Sequence, residues 1–401
     1  MTDDKQDKRF RATTPRRRFM RLAGMSASIA KNYANHKVKG IFSSEEEKRK
    51  SLEELYVNIG KQIAETLGEM KGAVMKVGQI ASQLKDLLPQ EVATALETLQ
   101  KESPPMPYSM IKRQIIRSLG EEPEVLFGSF EEKPFAAASI GQVHRATTKE
   151  GIECIVKIQY PGVKESCNSD LKHLKRLLKL AGLVKVSNEV IDQVFAEIKQ
   201  ILYEELDYEH EAENLQIFAE YYKDDPKIVI PKYFEELSSD KILTLEYVPG
   251  DPMQSLGEQG YSQETINEIG FNLFRAMGDQ IYNLNVVHAD PHPGNFAFRP
   301  DGTIIIYDFG AVKKVKTEII QKLRTIVTDA MTKNCDNLDQ HLRDVRARIP
   351  NSPNLPKEFY QEWLNIIMEP FQNNETFDFA KSRVHRRAVK KARKDALKYV
   401  G

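Results

Sequence analysis

Two aspartates and an asparagine in the second half of the chain constrain its fold most strongly. Asp290 and Asn295 lie five positions apart, and Asp308 opens an Asp-Phe-Gly triplet further along. Between them, residues 295–299 and 303–308 have the pattern of two β-strands, and an Asp-Gly dipeptide that is favoured in hairpin turns joins them. The predicted hairpin returns Asp308 toward the other two side chains.

This set of carboxylate and amide groups suits phosphoryl transfer. Such a reaction needs one group to orient the nucleophile and Mg²⁺ to neutralise phosphate charge, and carboxylate and amide oxygens are suitable ligands for that ion. Asp290 is therefore the candidate catalytic carboxylate, and Asn295 and Asp308 are the candidate metal ligands. A lone Asp-Phe-Gly is also typical of an ordinary turn, but the order of the three groups matches the catalytic segment of protein kinases.

An alanine-rich segment upstream overlays the glycine-rich loop that covers phosphates in kinases. The template's third glycine and its valine are present as Gly141 and Val143, whereas alanine replaces the first two glycines. Lys157 lies toward the end of a predicted strand, 154–159, where a phosphate-pairing lysine is expected. The candidate nucleotide contacts of this loop are Ala136, Ala137, Ala138, Ser139, Gly141 and Val143.

A kinase lysine needs a glutamate partner on a helix, and the predicted helix 189–222 offers several. Glu205 and Glu211 are both candidates, and they are six positions apart. On one helix that separation turns them to different faces, so they should serve different partners. The spacing alone does not choose between them.

The apolar pattern between Leu52 and Leu88 predicts a long amphipathic helix. Lys76 and Gln79 lie on a polar ridge of this helix, bordered by Gly72 and Gly78. Because a glycine inside a helix costs roughly 1 kcal/mol relative to alanine, the pair suggests close approach of another backbone or a ligand. An ordinary exposed face is the alternative interpretation.

Several motifs in combination resemble the UbiB, or AarF-domain-containing, family of atypical kinases over roughly residues 53–312. They are KxGQ at 76–79, PPMP at 104–107, SIGQVHRA at 139–146, KIQYPGV at 157–163, ELDYxxEAxN at 205–214, HADPHPGN at 288–295 and DFG at 308–310. The resemblance implies an α+β, two-lobed protein-kinase-like fold with a small β-rich N-lobe, a helical C-lobe and an N-terminal helical extension that carries KxGQ. A nucleotide site is expected between the lobes.

The resemblance also implies roles for the acidic residues. Glu211 is expected to pair with Lys157. Glu205 and Asp207 form an ExD motif that is expected to contact the KxGQ segment. That segment contains Lys76, Gly78 and Gln79. It is expected to cover the position at which a protein substrate docks in an ordinary kinase. Glu246 and Val248 complete the expected nucleotide contacts. They come just before Pro249, where the strand pattern ends.

The implied activity is binding of Mg-ATP, with ATP hydrolysis or phosphorylation in support of ubiquinone or related isoprenoid-lipid biosynthesis. Isoprenoid lipids or enzymes of the quinone pathway are the expected partners, and no nucleic acid is expected. Two alternatives stay open: a small-molecule phosphotransferase, and a non-catalytic, nucleotide-gated scaffold that presents lipid. Nothing after Asp308 resembles an activation loop that ends in Ala-Pro-Glu, so phosphorylation of other proteins is not expected.

Charge is distributed unevenly although the formal net charge is zero. Residues 1–40 carry eleven Lys or Arg against three Asp, and residues 381–401 carry nine against one, so each end has a net charge of +8 and the middle −16. Solubility alone can account for such basic ends as solvated tails, and they also suit an anionic membrane surface. No apolar run reaches the length of a spanning helix, and the three cysteines have neither disulfide nor zinc spacing. We expect a cytoplasmic protein, and peripheral attachment at the inner face of a membrane is one of the two interpretations of the basic ends.

The breaks in the pattern suggest four regions. They are a basic N-terminal arm at 1–45, the KxGQ helical extension at 46–107, a kinase-like N-lobe with a helical insertion at 108–248, and a helical C-lobe with a basic tail at 249–401.

Overall fold

A computed structural model describes most of the chain between residues 20 and 399. The described ranges are 20–21, 23–29, 31–33, 44–70, 89–92, 94, 105–137, 140–180, 187–348, 352–372 and 376–399. Contacts divide the chain into two compact units, residues 1–273 with 289–312, and residues 274–288 with 313–401. The four regions proposed from the sequence remain predictions.

Helices and strands both contribute to the fold, as the α+β prediction requires. The helices are α1 (Glu45–Met70), α2 (Tyr108–Leu119), α3 (Pro123–Leu126), α4 (Val163–Leu180), α5 (Asn188–Glu205), α6 (Tyr208–Tyr222), α7 (Gln263–Asp279), α8 (Thr317–Met331), α9 (Leu338–Asp344), α10 (Lys357–Ile367), α11 (Phe379–Ser382) and α12 (Val384–Tyr399). The strands are β1 (Ser129–Phe130), β2 (Ala136–Ala137), β3 (Gly141–Thr147), β4 (Glu153–Gln159), β5 (Ile228–Val229), β6 (Ile242–Glu246), β7 (Val286–His288), β8 (Phe296–Phe298), β9 (Ile304–Ile306) and β10 (Val312–Lys314).

Helix α1 confirms the N-terminal part of the long helix predicted at 52–88. Ser44 and Glu47 form a reciprocal cap at its start, because the Ser44 N–H donates to Glu47 Oε2 at 2.9 Å and the Glu47 N–H donates to Ser44 Oγ at 3.3 Å. Ile59 and Ile63, four residues apart, are fully buried. The rest of the predicted helix, with its KxGQ segment, lies outside the described residues.

A five-stranded antiparallel sheet forms the centre of the first unit. Its order is β1-β3-β4-β6. Strand β2 pairs with Gln142 and Val143, in the first half of β3, and β1 pairs with the end of the same strand. Lys157 lies two residues before the end of β4, opposite Val143 of β3 and Leu243 of β6. Gly141 is required at the β3–β4 pairing, since a Cβ there would lie 2.2 Å from the carbonyl oxygen of Ile158.

A buried polar network attaches the PPMP linker to this sheet. The Met106 N–H donates to Gln142 Oε1 at 2.9 Å, and Gln142 Nε2 lies 2.9 Å from His144 Nε2. Because His144 Nδ1 faces the Glu131 carbonyl at 2.7 Å, that nitrogen carries the proton and Nε2 accepts from Gln142. Burial lowers the pKa of His144, although the bond to Glu131 opposes the shift.

The helix predicted over 189–222 is two helices, α5 and α6. The break falls at residues 206–207, where Asp207 caps α6 by accepting a hydrogen bond from the His210 N–H at 3.0 Å. Aspartate is a preferred N-cap residue, which explains the break without glycine or proline. The prediction of one continuous helix was wrong at this point.

A second, three-stranded sheet in the first unit contains β5, β9 and β8. The predicted hairpin is confirmed, since β8 and β9 pair antiparallel and Gly302 turns with φ +81°. Strand β5 ends before Pro231, which cannot donate a ladder hydrogen bond, and the chain leaves the sheet after β6, before Pro249. The sequence pattern also missed the short strands β7 and β10.

The second unit is mainly helical. A small buried cluster formed by Ala330, Cys335, Leu338, Tyr360, Leu364 and Met368 packs its helices together. Lys391 of α12 is buried and pairs with Glu362 at 2.5 Å and Asp395 at 3.1 Å. Within the part of the chain that the structure describes, no helix combines the length and apolarity that crossing a bilayer requires.

Candidate functional site

Lys157 lies at the centre of the candidate site and holds two carboxylates. Its Nζ donates to Glu211 Oε1 at 2.6 Å and to Asp308 Oδ2 at 3.2 Å. The Lys157 and Glu211 side chains are 14% and 5% exposed, whereas that of Asp308 is 42% exposed. The buried partner therefore fixes the lysine, and the exposed partner remains accessible from solvent.

Burial and charge act in opposite directions on this group. Burial alone would lower the pKa of Lys157, but the carboxylates of Asp308 and Glu211 outweigh it and raise that pKa. Burial also raises the pKa of Glu211 to about 7, with Asp308 adding to the rise and Lys157 opposing it. Lys157 is consequently a permanent cation at this position.

One face of α6 organises the Asp-Phe-Gly segment. Glu211, Asn214 and Phe218 recur at three and four residues, which places them on the same side of the helix. Asn214 Nδ2 donates to the Phe309 carbonyl at 3.1 Å, and the rings of Phe218 and Phe309 lie 5.0 Å apart. Sequence reasoning missed these two contacts, although the helical spacing from Glu211 was a usable signal.

Asp308 is held in place by the turn that follows it. Its Oδ1 accepts a hydrogen bond from the Gly310 N–H at 3.1 Å, while its Oδ2 faces Lys157. A Cβ on Gly310 would lie 3.9 Å from Glu211 Oε2, so the turn passes close to the buried glutamate. The side chain thus has a defined orientation before any ligand binds.

Asp290 and Asn295 form a second group next to this segment. Asn295 Nδ2 donates to the Asp290 carbonyl at 3.0 Å and to Asp290 Oδ2 at 3.2 Å. The Ala289 N–H donates to the Ala311 carbonyl at 2.8 Å, and the Tyr307 N–H donates to the Asn295 carbonyl at 3.0 Å. These backbone bonds tie both ends of the Asp290 loop to the residues that flank Asp308.

The donor set fits a hard divalent cation. The amide nitrogen of Asn295 is directed to Asp290, so its carbonyl oxygen points away from that residue, and Asp308 contributes an exposed carboxylate. Oxygen ligands of this type, supplied by one or two protein groups, are usual for Mg²⁺ bound with phosphates.

The alanine-rich loop is described in part. Ala136 and Ala137 form β2, paired with Val143 and Gln142, and both are exposed. Ala138 and Ser139 lie outside the described residues. The loop therefore begins as a strand on the sheet that carries Lys157.

The segment after β6 carries the two remaining nucleotide candidates. Glu246 ends the strand, and its Oε2 accepts from the Lys232 N–H at 3.4 Å. Val248 is buried beside Ala297 and its carbonyl accepts from the Tyr307 hydroxyl at 2.6 Å. Because Tyr307 directly precedes Asp308, this hydrogen bond links the segment after β6 to the Asp-Phe-Gly segment.

The structure separates the two acidic residues of the ExD motif. Glu205 is the last residue of α5, and Asp207 is the N-cap of α6. Their expected contact with Lys76 and Gln79 remains a prediction, because the KxGQ segment lies outside the described residues.

An antiparallel sheet whose lysine pairs with a helical glutamate and with the aspartate of an Asp-Phe-Gly segment defines a protein of the kinase-like class. The sequence model of a protein family, the ABC1 atypical kinase-like domain, matches residues 98–342. The chain belongs to this family, which confirms the resemblance and the fold inferred from the sequence motifs.

Several curated relatives are similar over most of the chain. The yeast atypical kinase COQ8, mitochondrial, is 33% identical over 82% of this chain and 66% of its own length. Rat atypical kinase COQ8B, mitochondrial, is 32% identical over 81% of this chain and 62% of its own. ACTIVITY OF BC1 COMPLEX KINASE 7, chloroplastic, from Arabidopsis thaliana is 33% identical over 72% and 42%. The chain thus spans less than two thirds of the length of these relatives.

A solved structure gives the same fold. The Mycobacterium tuberculosis protein of the Rv3197–erythromycin complex is 33% identical, matches with a TM-score of 0.55, and is covered over 83% of its chain and 82% of this one.

Proposed function

We propose that this chain binds Mg-ATP and is an atypical kinase or ATPase. The main support is that Lys157 Nζ forms ion pairs with the buried Glu211 at 2.6 Å and with the exposed Asp308 at 3.2 Å. A cation fixed from behind by a buried carboxylate, next to a second carboxylate that solvent can reach, is suited to receive phosphate oxygens together with a metal ion.

Each residue then has a role. Lys157 binds phosphate oxygens, and Glu211 orients Lys157. Asp308 and Asn295 would hold Mg²⁺, which neutralises phosphate charge when it is bound. Asp290 orients the attacking oxygen and accepts its proton, and the Asn295 amide, 3.2 Å from Asp290 Oδ2, fixes the direction of that carboxylate.

We further propose that this activity supports ubiquinone or related isoprenoid-lipid biosynthesis. The proposal rests on the family and on relatives whose names identify them as COQ8 atypical kinases of mitochondria. The basic ends favour peripheral contact with an anionic membrane, since α12 alone supplies +6 of the +8 charge of residues 381–401.

The test is quinone and isoprenoid-lipid profiling of a strain that lacks this gene, complemented with wild type, Asp290→Asn or Asp224→Asn. Asp224 is an exposed turn residue and serves as the matched control. We expect wild type and the control to restore the profile and Asp290→Asn to fail. Full rescue by Asp290→Asn, produced at the wild-type level, would contradict a catalytic function.

Two observations favour the scaffold alternative. Asp308, the proposed metal ligand, is engaged by Lys157, and the loop before β3 carries alanine at Ala136 where the kinase template has glycine. A nucleotide-gated scaffold predicts that Asp290→Asn rescues the strain while Lys157→Met, which removes the phosphate-binding cation, does not. A catalytic function predicts that both variants fail.

A further inference from the structure

Phe135, Arg145 and Tyr247 form a cation–aromatic cluster in the first unit, which we name the Arg145 clamp. The Arg145 Cζ lies 4.5 Å from the centroid of the Phe135 ring and 4.3 Å from that of Tyr247. Its terminal nitrogen donates to the Tyr247 hydroxyl at 2.7 Å, and the two rings meet edge to face at 6.0 Å. One guanidinium therefore joins two aromatic side chains.

The clamp lies on the same face of the sheet as Lys157. Side chains alternate between the two faces along a strand, so Val143 and Arg145 of β3 share a face, and Val143 is opposite Lys157 in the register. Gln142 and His144, which anchor the linker, point to the other face. Arg145 consequently lies on the side of the sheet that the proposed nucleotide occupies.

The clamp joins the two segments proposed to enclose the nucleotide. Phe135 directly precedes the alanine-rich loop, and its N–H donates to the Val143 carbonyl at 2.8 Å. Tyr247 lies between Glu246 and Val248, the two expected nucleotide contacts of this segment. Arg145 bridges these segments from a third strand, so it sets the distance between them.

The guanidinium is already engaged by its two aromatic neighbours. It contacts both rings, and one of its terminal nitrogens donates a hydrogen bond to the Tyr247 hydroxyl. Its Nε is buried and has no hydrogen-bond partner among the described residues. A buried donor without a partner costs free energy, so stability alone does not explain this arrangement. A role in shaping a neighbouring site does.

We infer that Arg145 is a positioning residue for the nucleotide: it fixes the gap between the start of the alanine-rich loop and the segment after β6, where the base and ribose enter. This inference rests on the proposed function. The clamp acts on the base end, whereas Lys157 and Asp308 act on the phosphates, so the two contributions can be measured separately.

The experiment compares binding of ATP with binding of inorganic tripolyphosphate, which has the phosphates but no base or ribose, both in the presence of Mg²⁺. Arg145→Met keeps the length and apolar stem of the side chain but removes the cation. We expect about a tenfold higher Kd for ATP, the size of a partly buried cation–π contact, and an unchanged Kd for tripolyphosphate. Lys199→Met is the matched control, because Lys199 lies 5.5 Å from the Tyr203 ring on α5, outside the proposed site.

A second pair of variants tests whether the three side chains act as a unit. Tyr247→Phe removes only the hydroxyl and should weaken ATP by about threefold, and it carries the test if Arg145→Met does not fold. Phe135→Leu combined with Arg145→Met should weaken ATP no more than the stronger single change, because either change already opens the clamp.

The outcomes separate the clamp from the proposed function. Wild-type ATP affinity in the folded Arg145→Met protein, or in Tyr247→Phe where only that variant folds, overturns the clamp and leaves the proposed function intact. Equal weakening of ATP and tripolyphosphate also overturns it, since that is the result of general damage to the sheet. Failure of the wild-type protein to bind ATP overturns both.

Discussion

Replacing Glu211 with glutamine should make the protein more stable and less able to use ATP. Glu211 is 5% exposed, and among the described residues Lys157 is the cation that its carboxylate contacts. Glutamine has the same shape, keeps an oxygen that Lys157 can donate to, and carries no charge to bury. The change therefore removes the unfavourable part of the contact while it loosens the orientation of Lys157.

The magnitude follows from the raised pKa of Glu211. A rise from 4.5 to about 7 on folding corresponds to about 3 kcal/mol, at 1.36 kcal/mol per pH unit. The folded protein holds a proton that the unfolded chain releases above pH 4.5, so the wild-type free energy of unfolding falls as pH rises from about 4.5 to 7 and then levels off. Glu211→Gln has no such slope.

Urea unfolding of both proteins between pH 4.5 and 8 measures this difference. We expect equal stability near pH 4.5 and an advantage for Glu211→Gln that grows to about 3 kcal/mol by pH 7 and stays constant above it. Glu213→Gln is the control on the same helix, because the Glu213 side chain is 75% exposed, and it should change stability little at any pH. A Glu211→Gln protein less stable than wild type at pH 8 would refute the reasoning, since the ion pair would then outweigh burial.

Three further changes have defined outcomes. Gly141→Ala should lower the free energy of unfolding by about 1–3 kcal/mol in chemical denaturation, because its Cβ would lie 2.2 Å from the Ile158 carbonyl oxygen. Asn214→Leu should cost about 1–3 kcal/mol and weaken Mg-ATP binding in calorimetry, because it leaves the buried Phe309 carbonyl without its side-chain donor. Flotation with anionic vesicles should show binding that falls steeply with salt, because the end at 381–401 carries eight basic residues besides the buried Lys391, and a basic residue near the surface is worth about 1 kcal/mol.

Each of these has a contrary result, and the first also has a control variant. Gly257→Ala should be tolerated, since nothing lies within 4 Å of the added Cβ, and a Gly141→Ala protein of equal stability would show that the strands separate without cost. Unchanged Mg-ATP affinity in folded Asn214→Leu would show that the contact between α6 and Phe309 does not position Asp308 for binding. The same bound fraction at low and high salt would exclude an electrostatic attachment.

The elements with local signals were predictable from the sequence. The hairpin that leads to Asp308 was expected because an Asp-Gly turn separates two strand-like segments, and Gly302 adopts the left-handed conformation that such a turn needs. The kinase-like fold followed from the order of the motifs. The break before α6 had a signal as well, an aspartate at position 207 that caps the helix, but the continuous apolar pattern concealed it.

The contacts made over long sequence separations could not be predicted from local patterns. Glu205 and Glu211 are equivalent by composition, and only the packing of α6 against the sheet brings Glu211 to Lys157, 54 residues away. The Arg145–Tyr247 contact spans 102 residues and depends on strand register, which a single sequence does not specify. The family resemblance supplied the first of these pairs and not the second.

The most direct test of a Mg-ATP site at Lys157 and Asp308 is calorimetric titration of ATP into wild type and Asp308→Asn, each with and without Mg²⁺. Asparagine keeps the size of the side chain and the acceptor for the Gly310 N–H but removes the charge that would hold the metal. The account predicts that Mg²⁺ tightens ATP binding to wild type and that this gain is lost in Asp308→Asn, while metal-free binding is kept or strengthened. An equal gain from Mg²⁺ in both proteins would contradict the account.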